Sequence, residues 1–186
     1  MESRQENIQK ILIIGNTGNG KSTLVNCLTG NQGAIVGNNS RGVTKLPSFY
    51  KTQIKGRNFE IIDMPGFGDR DISFKKGKEI WNKYLKGQRI HAMIFTHKSV
   101  DDRLTQFDAL YADIVKQSFE PHEFSSRIVM GITFWNHYEY DKGRRDEKIN
   151  HFSTDLLDEL NDSLGFKGVQ NKINTTLFFT DQIDQC

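Results

Sequence analysis

Apolar and polar positions along this chain alternate between short continuous apolar runs and stretches of helical spacing, a pattern that predicts strands separated by helices. Ile11-Leu12-Ile13-Ile14 reads as a buried strand over 10–14, and Thr23, Leu24, Val25, Cys27 and Leu28 carry a helix over 21–29 that Gly30 is placed to end. A polar loop runs to about residue 47. Strands follow at 48–54 and 58–63, joined by the turn Lys55-Gly56-Arg57-Asn58, so one strand of the sheet runs antiparallel. The pattern then gives a helix through 74–87, strand 90–96, helix 102–118, strand 127–133, a long helix 144–164 and a last strand at 176–180. Leu104, Phe107, Leu110, Tyr111, Ile114 and Val115 mark one core-facing helical stripe; Ile149, Phe152, Leu156, Leu160 and Leu164 mark another. The fold class is α/β: a mostly parallel six-stranded sheet with one antiparallel strand and helices on both faces. No repeat or long linker divides it, and residues 1–186 read as one domain with a core over about 10–180.

The first strand empties into Gly15-Asn16-Thr17-Gly18-Asn19-Gly20-Lys21-Ser22, the spacing G-x-x-x-x-G-K-[ST] of a phosphate-binding loop. Gly15 and Gly20 open backbone torsions closed to other residues, so that successive N–H groups of Asn16, Thr17, Gly18, Asn19 and Gly20 can turn inward around an anion. Lys21 adds a point charge, Ser22 offers a hydroxyl to Mg²⁺, and Ser22 and Thr23 open the helix whose positive end faces the same phosphates. A phosphate loop alone leaves kinases, ATPases and GTPases open. Asp63-Met64-Pro65-Gly66, ending an apolar strand 42 residues after Lys21, supplies the next parts: a carboxylate for Mg²⁺ through water and a Gly66 N–H for the γ-phosphate. Thr44, in the polar loop, stands where a switch threonine would coordinate Mg²⁺ when the γ-phosphate is present. The hairpin, the Asp-x-Pro-Gly turn and the lack of an Arg-rich lid argue against a small-molecule kinase.

The order phosphate loop, loop threonine, β-hairpin and Asp-x-Pro-Gly resembles the translation-factor-related GTPases, and within them the immune-associated nucleotide-binding (AIG-type) family, close to the septin and chloroplast-import GTPases. The pieces are Gly15 to Ser22, Gly42-Val43-Thr44-Lys45, Gly56-Arg57-Asn58-Phe59 leading into Asp63-Met64-Pro65-Gly66, and His91-Ala92-Met93-Ile94-Phe95 followed by Asp102-Arg103-Leu104-Thr105. The resemblance implies GTP and GDP with Mg²⁺ as ligands, Ser22, Thr44 and Asp63 around the metal, and a GTPase switch or assembly cycle. It further implies that protomers pair across their nucleotide faces and that Arg103 reaches the neighbour's phosphates, making Arg103 and Thr44 the candidate catalytic residues. A scaffold that holds nucleotide without hydrolysing it is the competing reading.

Two departures from that pattern bear on function. Guanine is normally read by Asn/Thr-Lys-x-Asp after the fifth strand, whereas this chain has Thr133-Phe134-Trp135-Asn136 or, one register on, Asn136-His137-Tyr138-Glu139. Strand length favours the first, with Phe134 or Trp135 stacking on a purine and Asn136 accepting one hydrogen bond; the alternative is that these aromatics cover the sheet end. Thr180-Asp181-Gln182 stands where a second base contact is often found. Phe67 occupies the position of the water-orienting Gln, which predicts slow intrinsic turnover.

Composition narrows the remaining classes. Apolar residues are 36% and charged residues 26% of the chain, with 13 Phe, which is a globular and not a disordered composition. A net charge of +2 gives no reason to expect nucleic acid as a partner. Apolar runs fall far short of a membrane span, and the first six residues lack the marks of a signal peptide or myristoylation site. Two cysteines, Cys27 and Cys186, give no disulfide framework and too few zinc ligands, and Cys27 reads as a small core residue. A cytoplasmic protein is the expectation, with peripheral membrane association left open by the basic run Lys75, Lys76, Lys78, Lys83, Lys86 and Arg89.

Overall fold

The computed structural model describes residues 8–30, 33, 46–66, 73–120, 124–138, 141–166 and 172–179. Thr44, Phe67, Thr180, Asp181, Gln182 and Cys186 lie outside them. The elements are β1 (Gln9–Gly15), α1 (Lys21–Thr29), β2 (Ser48–Ile54), β3 (Arg57–Asp63), α2 (Phe74–Leu85), β4 (Ala92–Lys98), α3 (Gln106–Ser118), β5 (Ile128–Thr133), α4 (Lys142–Ser153), α5 (Asp155–Ser163) and β6 (Thr176–Phe178). They form a six-stranded sheet of order β2-β3-β1-β4-β5-β6, parallel except for the β2–β3 hairpin.

Side-chain alternation along the strands divides the core in two. Leu12 and Ile14 of β1, Met93 and Phe95 of β4, and Met130 and Ile132 of β5 face one layer with Trp81 of α2, Tyr111 and Ile114 of α3, Phe152 of α4 and Leu156 and Leu160 of α5. Ile13, Ile61 and Ile94 face the other side, against Leu24 and Val25 of α1. Burying each of these large side chains stabilises the sheet sandwich by about 1.5–3 kcal/mol. The parallel strands β1, β3, β4 and β5 therefore end, at their carboxyl termini, on one rim, where Gly15, Asp63, Lys98 and Thr133 are their final residues.

Several boundaries differ from those the sequence predicts. β4 runs two residues later than 90–96, because Thr96, His97 and Lys98 pair with Gly131, Ile132 and Thr133 of β5. His91 instead ties to β1 through its ring, which accepts from the Lys10 N–H at 2.9 Å. The helix predicted over 102–118 begins at Gln106 because Thr105 and Asp108 form a capping box that fixes its first turn. The long helix predicted over 144–164 is two helices. Thr154 breaks it with a non-helical backbone, its hydroxyl donating back to the Asn150 carbonyl at 2.7 Å while Asp155 opens the second helix. Cys27 is half-buried on α1 and is not among the buried residues of the core.

Candidate nucleotide site

The rim is shaped first by glycines that no other residue could replace. A Cβ on Gly15 would overlap Thr96 Oγ1 and lie 2.5 Å from the Thr96 carbonyl oxygen, so β1 and β4 approach closely only because that position is bare. Gly20 has φ 72°, the left-handed turn that delivers Lys21 to the start of α1. Asn19 stays inside the loop, its amide donating to the Thr96 carbonyl at 2.9 Å.

Within this frame Lys21 is 6% exposed and donates to the Asn16 carbonyl at 2.8 Å. Burial pulls its ammonium down to about 8, with Lys98 adding to the fall and Asp63 and Asp108 opposing it. A buried cation whose one direct partner among the described residues is a carbonyl is poised for an anion. Ser22 Oγ donates to Asp63 Oδ2 at 2.8 Å, while Asp63 Oδ1, also buried, has no hydrogen-bond partner among the described residues. Burial pushes the Asp63 carboxyl up, against the pull of Lys21 and Ser22. An orphaned carboxylate oxygen beside a hydroxyl is the donor set that a hydrated Mg²⁺ takes, so Ser22 and Asp63 fit the metal they were expected to hold.

Gly66 closes the far side. Thr17 Oγ1 donates to the Gly66 carbonyl at 3.2 Å, and Tyr111 of α3 donates its hydroxyl to the Pro65 carbonyl. The turn after β3 is thus held against the phosphate loop from two sides. Thr23 is half-buried on α1, and among the described residues the one neighbour within 4 Å of where a Gly18 Cβ would stand is Lys98, whose Nζ lies 3.5 Å away.

At the base end the structure separates the two aromatics. Phe134 has φ 58°, and the reversed backbone turns its ring toward the loop, 3.6 Å from where a Gly20 Cβ would be. Ser99 Oγ pins that turn by donating to the Phe134 carbonyl at 2.7 Å. Trp135 goes the other way. It is 4% exposed, packed 4.4 Å from the Phe178 ring centroid and edge-on to Phe152, so a Trp135 stacked on a purine is ruled out by its place in the core. Asn136 is half-buried beside them.

Sequence reasoning missed a buried network behind the loop. Asn16 Nδ2 donates to Thr105 Oγ1 at 2.7 Å and to Asp108 Oδ1 at 3.1 Å, and Thr105 Oγ1 donates to Asp108 Oδ2 at 2.8 Å. His97 of β4 completes it, with Nε2 2.7 Å from the Asp101 carbonyl and Nδ1 3.7 Å from Asp108 Oδ2. Thr105 followed by Asp108 was the one local signal, a capping sequence; that its carboxylate reaches residues 11 and 92 positions away in the chain has no local signature. Arg103 lies on this segment. Asp102 is anchored to α4 by an ion pair with Lys148 and by its carbonyl to His151 Nε2 at 2.8 Å, and Thr105 is anchored to the loop, so Arg103 stands exposed between two fixed points.

Comparison with known proteins agrees with this geometry. A family model described as the 50S ribosome-binding GTPase matches residues 10–130. The chain is 28% identical over 184 residues to the probable GTP-binding protein EngB of Campylobacter jejuni subsp. doylei, covering 89% of this chain and 91% of that protein. A structure of the chloroplast translocon components atToc33 and psToc159, for which dimerisation is described as important for GTPase activity, superposes with a TM-score of 0.79 at 18% identity, over 95% of this chain and 71% of that one. Toc33 from Arabidopsis thaliana in complex with GDP and Mg²⁺ gives 0.73 at 18% identity, over 97% and 73%. At such identities the structures speak for the fold alone, and the sequence relative carries the EngB name and not an AIG-type one. With well over half its length matched, the chain belongs to the 50S ribosome-binding GTPase family and is a P-loop G domain.

Proposed function

We propose that this chain is a single G domain that binds GDP and GTP with Mg²⁺ and works as a slow switch, its hydrolysis depending on a second copy across the nucleotide face. The observation that carries the nucleotide half of this reading is the pairing of buried Lys21 with an Asp63 oxygen that has no partner among the described residues, both beside the glycine-built loop. Lys21 and the loop N–H groups neutralise and orient the phosphates, Ser22 and Asp63 hold the metal, and the Gly66 N–H meets the γ-phosphate. Ser22 and Asp63 are the residues that would hold Mg²⁺, which would supply positive charge to offset that developing on the phosphates. Thr44 joins the metal only when the γ-phosphate is present, and Phe134 with Asn136 takes the base. Guanine is supported by the name of the EngB relative and by the GDP complex of Toc33.

The dimer half rests on Arg103. Its exposure between two anchored neighbours leaves it free to reach a facing protomer, and Phe67 supplies no water-orienting amide. The behaviour described for the Toc33 structure supports the same arrangement. The AIG-type placement rests on the Gly42–Lys45 and Arg103–Thr105 pieces, and peripheral membrane association on the exposed lysines of α2. Net charge alone argued against nucleic acid, and a near-neutral total does not exclude a local basic face; the family description names the ribosome.

Hydrolysis measured across protein concentration tests the dimer. Specific activity is expected to rise with concentration, and Arg103→Ala to lose the rising part while binding nucleotide normally, since the guanidinium acts on transition-state charge. An arginine supplied in trans is worth about 10³–10⁵ in rate. Flat specific activity from a protein that stays monomeric with a GTP analogue would end the dimer reading and favour a non-hydrolysing scaffold.

A further inference from the structure

Lys98 is the last residue of β4, directly opposite Thr133 in the ladder, which places it where the phosphate loop and the Phe134 turn meet. Its Nζ lies 6.0 Å from the Phe134 ring centroid and 3.5 Å from the position of a Gly18 Cβ. Lys10, Lys116, Lys148 and Lys172 pair with carboxylates; Lys98 has no such partner among the described residues. A lysine held by an aromatic face and a bare glycine, with no carboxylate, keeps its charge available to an anion. The same ammonium helps depress the Lys21 pKa, as two cations facing one volume would. A solvated strand-end lysine is the ordinary alternative, but it would have no reason to lie over the loop.

We propose that Lys98 is a nucleotide-binding residue, its ammonium donating to the ribose and inner phosphates between Gly18 and Phe134. The contact lies on the part shared by GDP and GTP, so it adds affinity to both and leaves the γ-phosphate to Lys21 and Gly66. This inference rests on the nucleotide reading of the phosphate loop.

The test is titration of the intact chain with a fluorescent GDP analogue and, by competition, with GDP and a non-hydrolysable GTP analogue, in wild type, Lys98→Met and Lys98→Arg. Thermal melting of each variant separates misfolding from lost contact. Lys98→Met is expected to weaken GDP and the GTP analogue by the same factor, about 10- to 100-fold for one charge-assisted hydrogen bond, with Lys98→Arg keeping most of the affinity. Wild-type affinity in Lys98→Met overturns the inference alone. A loss confined to the GTP analogue overturns it too, by moving the contact to the γ-phosphate, and a wild type that binds no GDP removes the nucleotide reading along with it.

Discussion

Gly66 sits outside the left-handed backbone region, so its torsions alone would admit alanine; what demands glycine is the neighbour. A Cβ there would lie 2.6 Å from Thr17 Oγ1 and 2.7 Å from Thr17 Cα, and the latter is backbone that cannot swing aside. Gly66→Ala is therefore expected to cost about 1–3 kcal/mol through overpacking and to lower the melting temperature by several degrees. An unchanged melting temperature would mean that the Thr17 to Gly66 contact is not a fixed part of the fold. At this scale the sequence was most legible where chemistry and backbone need coincide in one short run, as in Gly15 to Ser22. It was least legible at Trp135, where residue type fitted base stacking and only the reversed torsion of Phe134 decides that the two rings face opposite ways.

Between elements, the junction of β4 and α3 couples the phosphate loop to the rest of the molecule. His97 Nε2 faces the Asp101 carbonyl, which can only accept, so that nitrogen carries a proton; Nδ1 has no hydrogen-bond partner among the described residues, but the Asp108 carboxylate 3.7 Å away favours the imidazolium. Burial alone would lower the His97 pKa, but Asp108 and Asp101 outweigh it and hold it above the ordinary 6.5. A group raised in the folded state adds stability that is complete below its unfolded pKa and lost as pH rises through the folded one. The gap in urea midpoint between wild type and His97→Gln should accordingly be wider at pH 6 than at pH 9, and an equal gap at both would show that the imidazole is neutral throughout. Element existence was readable from periodicity, and the hairpin from its turn. The starts were not: α3 begins four residues after its predicted start because Thr105 caps it, and α4 and α5 part at Thr154, where a β-branched hydroxyl bonds backwards inside an otherwise unbroken apolar stripe.

For the whole molecule, strand order decides what the loops can do together. β1 lies between β3 and β4, so the chain leaves β1 toward one edge for the hairpin and returns on the other side, and the crevice at such a switch point is where α/β sheets bind ligands. Gly15, Asp63, Lys98 and Thr133 meet there though each ends a different strand, a convergence that no local pattern in the sequence encodes. Its central consequence is an anion site built on Lys21, and calorimetric titration of GDP with Mg²⁺ into the wild type and Lys21→Ala tests it most directly. The wild type should give saturable heat at one site and Lys21→Ala should lose it while remaining folded; equal GDP affinity in the two proteins would contradict the account.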